Sequence, residues 1–214
     1  MLRSLKELYG DKLGASDGEI GRVCDVYFDD QNWTIRYLVA DTGTWLTGRK
    51  VLISPHSLAS LAASGKVVRV GLTRRQIEDS PSVDTQQPVS RQYEEEYYKY
   101  YGWPSYWKGA SDLVGPQPQR EIHLRSTQAV NGYLVQVGDE TIGHICDFMM
   151  DAESWTIGQL VVKTGHRLSG KNILIPTKQV QRISYPDSTV FAHASTEAAG
   201  QIPANKLVPA GIVL

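Results

Sequence analysis

The sequence predicts an all-β fold, with two small β-barrels in tandem joined by a linker that carries a short aromatic-rich helix. Three observations lead to this prediction. The chain repeats itself without a gap at an offset of 122 residues, from Ile20 to Ile142. Within each copy, apolar and polar side chains alternate with the period of two that is typical of strands. Short segments with glycine separate the strands, as in small barrels, where closure removes exposed sheet edges.

The bulk composition allows two small domains and argues against some functions. The chain has 214 residues, of which 41% are hydrophobic and 21% charged, which is enough apolar content for a core. Its net charge of -1 argues against a strongly basic nucleic-acid binder. No stretch approaches the roughly 18 apolar residues of a membrane span, and the N-terminal residues lack the apolar core of a signal peptide. We therefore expect a cytoplasmic protein without a membrane span.

The repeat is the strongest pattern in the sequence. Between residues 20–53 and 142–175, 16 of the 34 paired positions are identical. The same offset pairs Pro81 with Pro203. Chance does not hold one register over such a distance, so the pattern indicates a duplication. It predicts a first barrel over residues 1–81, a linker over 82–119, a second barrel over 120–204 and a tail over 205–214.

Each copy divides into strands and turns in the same order. In the first copy the predicted strands cover residues 24–28, 34–40, 50–54 and 66–70. The first two should pair as a hairpin across a polar turn. Paired glycines are expected at turns or bulges, where unusual backbone dihedrals are needed. The residues retained in both copies, to which we assign structural roles, are Gly21, Asp25, Trp33, Gly43 and Gly48, with their counterparts Gly143, Asp147, Trp155, Gly165 and Gly170.

The first copy opens with Leu8-Tyr9-Gly10 and continues with Asp17-Gly18-Glu19-Ile20-Gly21-Arg22-Val23-Cys24-Asp25-Val26. Together with Val51-Leu52-Ile53-Ser54-Pro55 and Val67-Val68-Arg69-Val70, these segments resemble the PRC-barrel family. The resemblance covers residues 2–81 well and 124–203 more loosely, because residues 131–135 depart from the usual opening. It implies two PRC-type barrels. Since the matching residues are structural, it implies a fold rather than a function.

Two known members of that family have other roles. The family includes the cytoplasmic domain of the photosynthetic reaction-centre H subunit and the C-terminal domain of a ribosome maturation factor. The H subunit has a membrane helix before its barrel, and the ribosome factor has a separate N-terminal domain. This sequence shows neither feature before its first barrel. Neither role is therefore expected to carry over.

The linker is rich in aromatic residues. Tyr93, Tyr97, Tyr100 and Tyr101 have the spacing of one helix face, and Gly102 with Pro104 should end that helix. We consider three roles: packing between the barrels or onto a second subunit, an exposed docking surface for another protein, and stacking of nucleobases. Acidic residues around the segment oppose phosphate binding, and so the third role. The candidate partner-binding residues are Tyr93, Tyr97, Tyr98, Tyr100, Tyr101, Trp103, Tyr106 and Trp107.

Two acidic positions and one tryptophan are retained in both copies. Asp25/Asp147 and Asp29/Asp151 have the chemistry for acid–base catalysis or a cation site, but their place along a strand and at its turn favours turn hydrogen bonds. Trp33 and Trp155 each begin a strand after a turn. We expect them to close the barrel or fill its core, with a ligand platform as the alternative.

The remaining reactive residues show no site pattern. Cys24 and Cys146 lie in strands among apolar neighbours, where a thiol behaves as a small hydrophobic group. The glycine-containing basic segments near Gly48 and Gly170 lack the phosphate-loop pattern. The histidines His56, His123, His144, His166 and His193 have no ligand spacing. We predict no catalytic residue, no metal and no cofactor.

The preferred functional hypothesis is a non-catalytic adaptor for protein interaction or assembly, with a protein partner or self-association. An RNA- or ribosome-associated factor is the first alternative, although nucleic acid is an unlikely partner for a chain of this charge. A small-ligand binder in a cleft between the barrels is the second. The apolar tail, Leu207–Leu214, is expected to cover a barrel or join a partner.

Overall fold

The computed structural model describes residues 2–58, 67–81, 89, 91–107, 124–165 and 171–193, with the backbone alone for 91 and 92. The described residues form two sheets, which confirms the all-β prediction. None of their helices is long and apolar enough to cross a membrane. The predictions for Gly170, His123, His166 and the tail Leu207–Leu214 lie outside the described residues.

Among the described residues, the strands of the two copies follow a similar order, but the copies differ in their short helices and the second copy has one strand more. The first copy and the linker contain β1 (Leu2–Ser4), β2 (Lys12–Ala15), β3 (Gly18–Asp29), β4 (Ile35–Asp41), β5 (Lys50–Ile53), β6 (Val67–Arg69), α1 (Arg74–Glu78) and α2 (Arg91–Tyr101). The second copy contains β7 (Leu124–Ser126), α3 (Thr127–Val130), β8 (Leu134–Val137), β9 (Glu140–Asp151), β10 (Thr156–Thr164), β11 (Asn172–Pro176), β12 (Val180–Ser184) and β13 (Thr189–Ala192). One 3-10 turn follows β5 and another follows β11.

The first sheet has the strand order β5-β4-β3-β2-β6. Strands β3 and β4 pair antiparallel around the polar turn, as the hairpin prediction requires. At the far end of the path, β6 runs parallel to β2. A bridge between Leu58 and Val70 brings the chain after β5 beside the chain after β6. The second sheet repeats this order as β11-β10-β9-β8-β13, with β12 paired to β13.

The chain forms two compact units, and neither consists of one copy alone. Unit 1 consists of Glu7–Gln128 and Ala152–Thr156. Unit 2 consists of Leu2–Lys6, Ala129–Asp151 and the described chain from Ile157 on. The first strand of each copy thus lies in the sheet built mainly from the other copy: β7 pairs with β3 in unit 1, and β1 pairs with β9 in unit 2.

The two exchanged strands pair in equivalent registers. In unit 2, Leu2 is opposite Asp151 and Ser4 is opposite Met149. In unit 1, Leu124 is opposite Asp29 and Ser126 is opposite Tyr27. The two sets of pairs are equivalent, because each residue of one set lies 122 positions from the matching residue of the other. The exchange is therefore a property of the repeat, and it was not among the expectations from the sequence.

Candidate functional site

Helix α2 ends where its sequence pattern predicts. It covers Arg91–Tyr101 and stops at Gly102, whose φ of 69° is easily adopted only by glycine. The backbone N–H of Trp103 then donates to the carbonyl of Tyr98 at 3.0 Å, which closes the helix end. This turn brings the aromatic residues after the helix back onto it.

The buried face of α2 differs from the predicted face by one residue. Tyr97 is buried, and Tyr93 and Tyr101 are half-buried, as expected for that face. Tyr100 is 40% exposed, whereas its neighbour Tyr98 is buried. Positions four apart in a helix are rotated by about 40° around its axis, so the row of Tyr93, Tyr97 and Tyr101 turns gradually around the helix. The centre of the buried face therefore lies between Tyr97 and Tyr98.

This face packs on the sheet of unit 1 and forms one aromatic cluster. The sheet contributes Tyr27, Tyr37, Val39, Leu52 and Leu124, and the helix and its continuation contribute Tyr93, Tyr97, Tyr98, Tyr101, Trp103, Tyr106 and Trp107. Ring centroids lie 5.4 Å apart for Tyr37 and Tyr97, 4.6 Å for Tyr101 and Trp103, and 5.1 Å for Tyr98 and Trp107. These are the spacings of edge-to-face and stacked aromatic pairs.

The polar ends of these aromatic side chains are hydrogen-bonded inside the cluster. The hydroxyl of Tyr97 donates to the carbonyl of Leu52 at 2.9 Å and accepts from the backbone N–H of Ser54 at 3.3 Å. Glu94 is only 2% exposed, and its Oε1 accepts from the hydroxyls of Tyr37 at 3.0 Å and Tyr106 at 2.7 Å. Buried polar groups left without partners cost stability, so these bonds fix where α2 lies on the sheet.

The candidate partner-binding residues are therefore mostly packed against the chain's own sheet. Tyr97 and Tyr98 are buried, and Tyr93, Tyr101, Trp103, Tyr106 and Trp107 are half-buried. Tyr100 is the most exposed of the set, and its hydroxyl donates to the carbonyl of Gln76 at 2.9 Å. Their role in partner binding stays a prediction.

Burial also sets the ionisation of the cluster. It raises the pKa of Tyr27 to about 12 and the pKa of Tyr101 to about 12. It raises the pKa of Tyr37 and of Tyr97 as well, and at Tyr37 the neighbouring charge of Glu94 adds to the effect. These phenols stay neutral in the folded protein at a pH where an unfolded chain begins to lose its tyrosine protons, at about pH 10.

We expect the stability of unit 1 to be lost in alkali. Because folding raises these pKa values, their contribution is complete below about pH 10 and falls as the pH rises toward about 12. Urea unfolding followed by tryptophan fluorescence should show a midpoint that decreases between about pH 9 and about pH 11. A Tyr27→Phe variant, which lacks one of these phenols, should show a shallower decrease. A midpoint independent of pH over this interval would contradict the prediction.

The retained aspartates Asp25 and Asp147 hold the exchanged strands. The carboxylate of Asp25 accepts from the hydroxyl of Ser126 at 2.5 Å and from the backbone N–H of Gln128 at 3.2 Å. In unit 2, Asp147 accepts from the hydroxyl of Ser4 at 2.5 Å and from the backbone N–H of Lys6 at 3.2 Å. Each aspartate also accepts from the N–H of the next residue at 2.7 Å. Burial raises the pKa of Asp25, and these hydrogen bonds act in the opposite direction.

The other retained side chains in unit 1 have roles in the turn and the core. Asp29 accepts from the backbone N–H of Gln31 at 3.0 Å and from the amide of Asn32 at 3.1 Å, which are bonds of a polar turn. Trp33 has a φ of 58°, an unusual conformation for a bulky residue, and stacks on Phe28 with centroids 5.3 Å apart. Trp33 is buried, so this ring fills the barrel core. Trp155 has the same conformation, with a φ of 55°.

The cysteines and histidines do not form a site in the part of the chain that the structure describes. Burial raises the pKa of Cys24 and of Cys146, so both thiols are protonated near neutral pH. Within residues 2–58, 67–81, 91–107, 124–165 and 171–193, no three histidine, cysteine, aspartate or glutamate side chains come together as metal ligands.

The face that α2 covers in unit 1 has an equivalent in unit 2, which we call the unit 2 face. Its residues are Leu2, Met149, Gln159, Val161 and Leu174, the counterparts of Leu124, Tyr27, Tyr37, Val39 and Leu52. Leu124 is 6% exposed, whereas Leu2 is 51% exposed. Leu52 is buried, whereas Leu174 is half-buried. Among the described residues, no helix covers the unit 2 face as α2 covers unit 1.

Sequence patterns missed this asymmetry and the exchange of strands. The signal for the exchange was present, because Ser4 and Ser126 are retained together with Asp25 and Asp147. A strand three residues long carries too little periodicity to be recognised without its partner. The asymmetry follows from substitutions such as Tyr37 to Gln159, which alter only one face of a retained framework.

Comparison with known protein families agrees with this architecture. The family model of the PRC-barrel domain matches residues 3–71, from β1 to just beyond β6. No curated protein matches the chain at a significant level. The strand order of unit 1, with its hairpin β3–β4 and its parallel pair β2–β6, lies almost wholly within the matched segment. The likeness of this chain to the PRC-barrel domain is therefore carried by residues 3–71, most of the first copy.

Proposed function

We propose that the chain is a non-catalytic adaptor that binds another protein through the unit 2 face. The supporting observation is the asymmetry between two equivalent surfaces. In unit 1 this surface is covered by an aromatic helix, and Leu124 is 6% exposed. In unit 2 the retained apolar positions include Leu2, which is 51% exposed. Met149 and Leu174 on the same sheet are half-buried and Val161 is buried, so Leu2 contributes most of the exposed apolar surface, the kind of surface that is typical of interaction sites.

The chemistry of the unit 2 face indicates an aliphatic occupant. Two tyrosines of the aromatic cluster in unit 1, Tyr27 and Tyr37, are replaced by Met149 and Gln159 in unit 2. Ser54, whose N–H donates to Tyr97, is replaced by Pro176, which has no N–H to donate. A second aromatic helix like α2 would therefore find no backbone N–H at this position for a tyrosine hydroxyl to accept from. The leucine and methionine side chains of the unit 2 face instead favour contact with flexible aliphatic side chains.

The charge beside this face favours an acidic partner. Burial raises the pKa of Cys146, the positive charges of Lys6 and Lys163 lower it, and the negative charge of Asp147 raises it, so two positive charges and one negative charge act on this part of the strand. The counterparts of the two lysines in unit 1 are Gln128 and Asp41. Opposite charges around an apolar contact speed association and select partners. The proposed occupant is therefore an amphipathic segment of another protein, with aliphatic residues on one side and acidic residues at its edge.

Site-specific photocross-linking tests the proposal. A photoreactive amino acid replaces Leu174 in the full chain, expressed in its native cells, and the cross-linked peptide is sequenced by mass spectrometry. We expect a peptide of another protein that is aliphatic and acidic. A Leu2→Glu substitution should reduce the cross-link at least about tenfold, since it places a charge in the contact.

The matched control is Leu134→Glu. Leu134 is 48% exposed in unit 2, close to the 51% of Leu2, but it does not belong to the unit 2 face. This substitution should leave the cross-link unchanged. Cross-links confined to this chain, whether to its own residues 194–214 or to a second copy, would overturn the proposal. Equal loss with both substitutions would overturn it as well.

A further inference from the structure

The exchanged strands carry the same short sequence and meet the same acceptor. Leu2-Arg3-Ser4 and Leu124-Arg125-Ser126 are identical. Each pairs antiparallel with the end of the long strand of the other copy. In both places a retained aspartate binds the serine hydroxyl at 2.5 Å and a backbone N–H two residues later at 3.2 Å. Each unit therefore contains an acceptor site for a Leu-Arg-Ser strand.

Nothing in the acceptor site of unit 2 distinguishes the strand of its own chain from the strand of another copy. The main-chain pairing, Ser4 and the contact with Asp147 are the same in either case. The segment that carries β1 leaves unit 2 at Lys6 and enters unit 1 at Glu7, so the exchange depends on a short stretch of chain. Elements joined through such a short connection pass between identical chains at low cost.

We propose that this chain assembles with a second copy of itself by exchange of the Leu-Arg-Ser strand. Strand β1 of one molecule pairs with β9 of the other, with Ser4 bound to Asp147 of the partner subunit, and the reverse exchange completes the dimer. This inference does not depend on the proposed adaptor function. It uses the end of β9 and the carboxylate of Asp147, and it requires no third protein.

The concentration dependence follows from the competition between the two pairings. Within one chain, β1 has an effective concentration on the order of millimolar when its connection is flexible. Strands of other molecules compete when the protein approaches that concentration. We expect exchange to be trapped most readily during refolding, when the acceptor sites are not yet occupied.

A pair of cysteines across the exchanged pairing distinguishes the two states. In a Cys24→Ala/Cys146→Ala background, Leu2→Cys and Asp151→Cys place thiols on residues that are directly opposite each other. Such neighbours in an antiparallel pair are close enough for a disulfide. After refolding and oxidation at about 10 µM we expect linked monomers, and at about 1 mM roughly half of the chains in linked dimers.

The matched control is a cysteine pair in a hairpin that is not exchanged. Asp41 and Lys50 are directly opposite each other in β4 and β5 of the same copy, and Asp41→Cys/Lys50→Cys should give monomers at both concentrations. Adding Ser4→Ala to the first pair should lower the yield of linked monomers and of linked dimers alike, because the hydrogen bond to Asp147 is lost in both pairings.

A measurement on the chain without substitutions tests the same proposal even if the variants fail to fold. The native-sequence chain, refolded at about 1 mM and then diluted, should show a dimer in sedimentation velocity that dissociates over hours rather than seconds, since each strand must leave its sheet. Monomers alone in both experiments would overturn the proposal. So would dimers that form equally in the Asp41→Cys/Lys50→Cys control.

Discussion

Replacing Tyr97 by alanine should lower the free energy of unfolding of unit 1 by about 3–5 kcal/mol, the range measured when large buried aromatic side chains are removed. The Tyr97 ring is fully buried and contacts Tyr37, Tyr101 and Trp103. Its loss leaves a cavity between α2 and the sheet and removes the hydrogen bond to the carbonyl of Leu52. Guanidinium unfolding followed by fluorescence measures the effect, because all five tryptophans lie within unit 1.

Two further variants separate the contributions of the ring and the hydroxyl. Tyr97→Phe retains the ring and removes the hydroxyl, so we expect a loss of about 1–2 kcal/mol. Tyr100→Ala removes a nearby tyrosine that is 40% exposed. Apart from the loss of one surface hydrogen bond, it should change the free energy of unfolding by no more than about 0.5 kcal/mol. Equal effects for Tyr97→Ala and Tyr100→Ala would show that α2 does not pack on the sheet as described.

Replacing Gly21 by alanine should destabilise unit 1 by at least about 3 kcal/mol, at the upper end of the costs for overpacked sites. A Cβ at this position would lie 2.0 Å from the carbonyl oxygen of Asp41, which belongs to the backbone of the neighbouring strand. Two strands would have to move apart to accommodate it. The φ of 153° at Gly21 adds to the cost, since side chains rarely adopt it.

The same substitution in the second copy should have a similar effect on unit 2. A Cβ at Gly143 would lie 2.3 Å from the carbonyl oxygen of Lys163. Gly14→Ala is the control, because its Cβ would meet only a methyl group of Val67 at 3.5 Å, an ordinary contact. Calorimetry of the full chain should show a lower melting temperature for Gly21→Ala and Gly143→Ala, and little change for Gly14→Ala. A small effect at Gly21 would contradict the close approach of β3 and β4.

Local patterns were sufficient to predict the hairpin and the aromatic helix of this fold, but not the short strands β1, β2 and β7. The hairpin of β3 and β4 and the helix α2 depend on residues close in sequence, and both form where the patterns place them. The choice between strands β1 and β7 is different, because Leu2–Ser4 and Leu124–Ser126 are identical. The patterns within these two identical segments therefore contain no preference for one acceptor over the other.

The candidate site was predictable only in part for a related reason. The spacing of Tyr93, Tyr97 and Tyr101 predicts a helix with an aromatic face, but it does not say which surface receives that face. The receiving surface is assembled from β3, β4, β5 and β7, which are distant in sequence. Glu94, in the middle of the buried face, is charged and reads as solvent-exposed until Tyr37 and Tyr106 are placed beside it.

The exchange of β7 also constrains the order of events during synthesis on the ribosome. A domain contained in one continuous segment can complete its sheet as soon as that segment has emerged, but unit 1 lacks its last strand until Leu124–Ser126 has been translated. At ordinary rates of elongation, the delay between β6 and β7 is on the order of seconds. Throughout that interval, the edge of β3 and the carboxylate of Asp25 lack the strand that they bind in the folded protein, because β7 has not yet been synthesised.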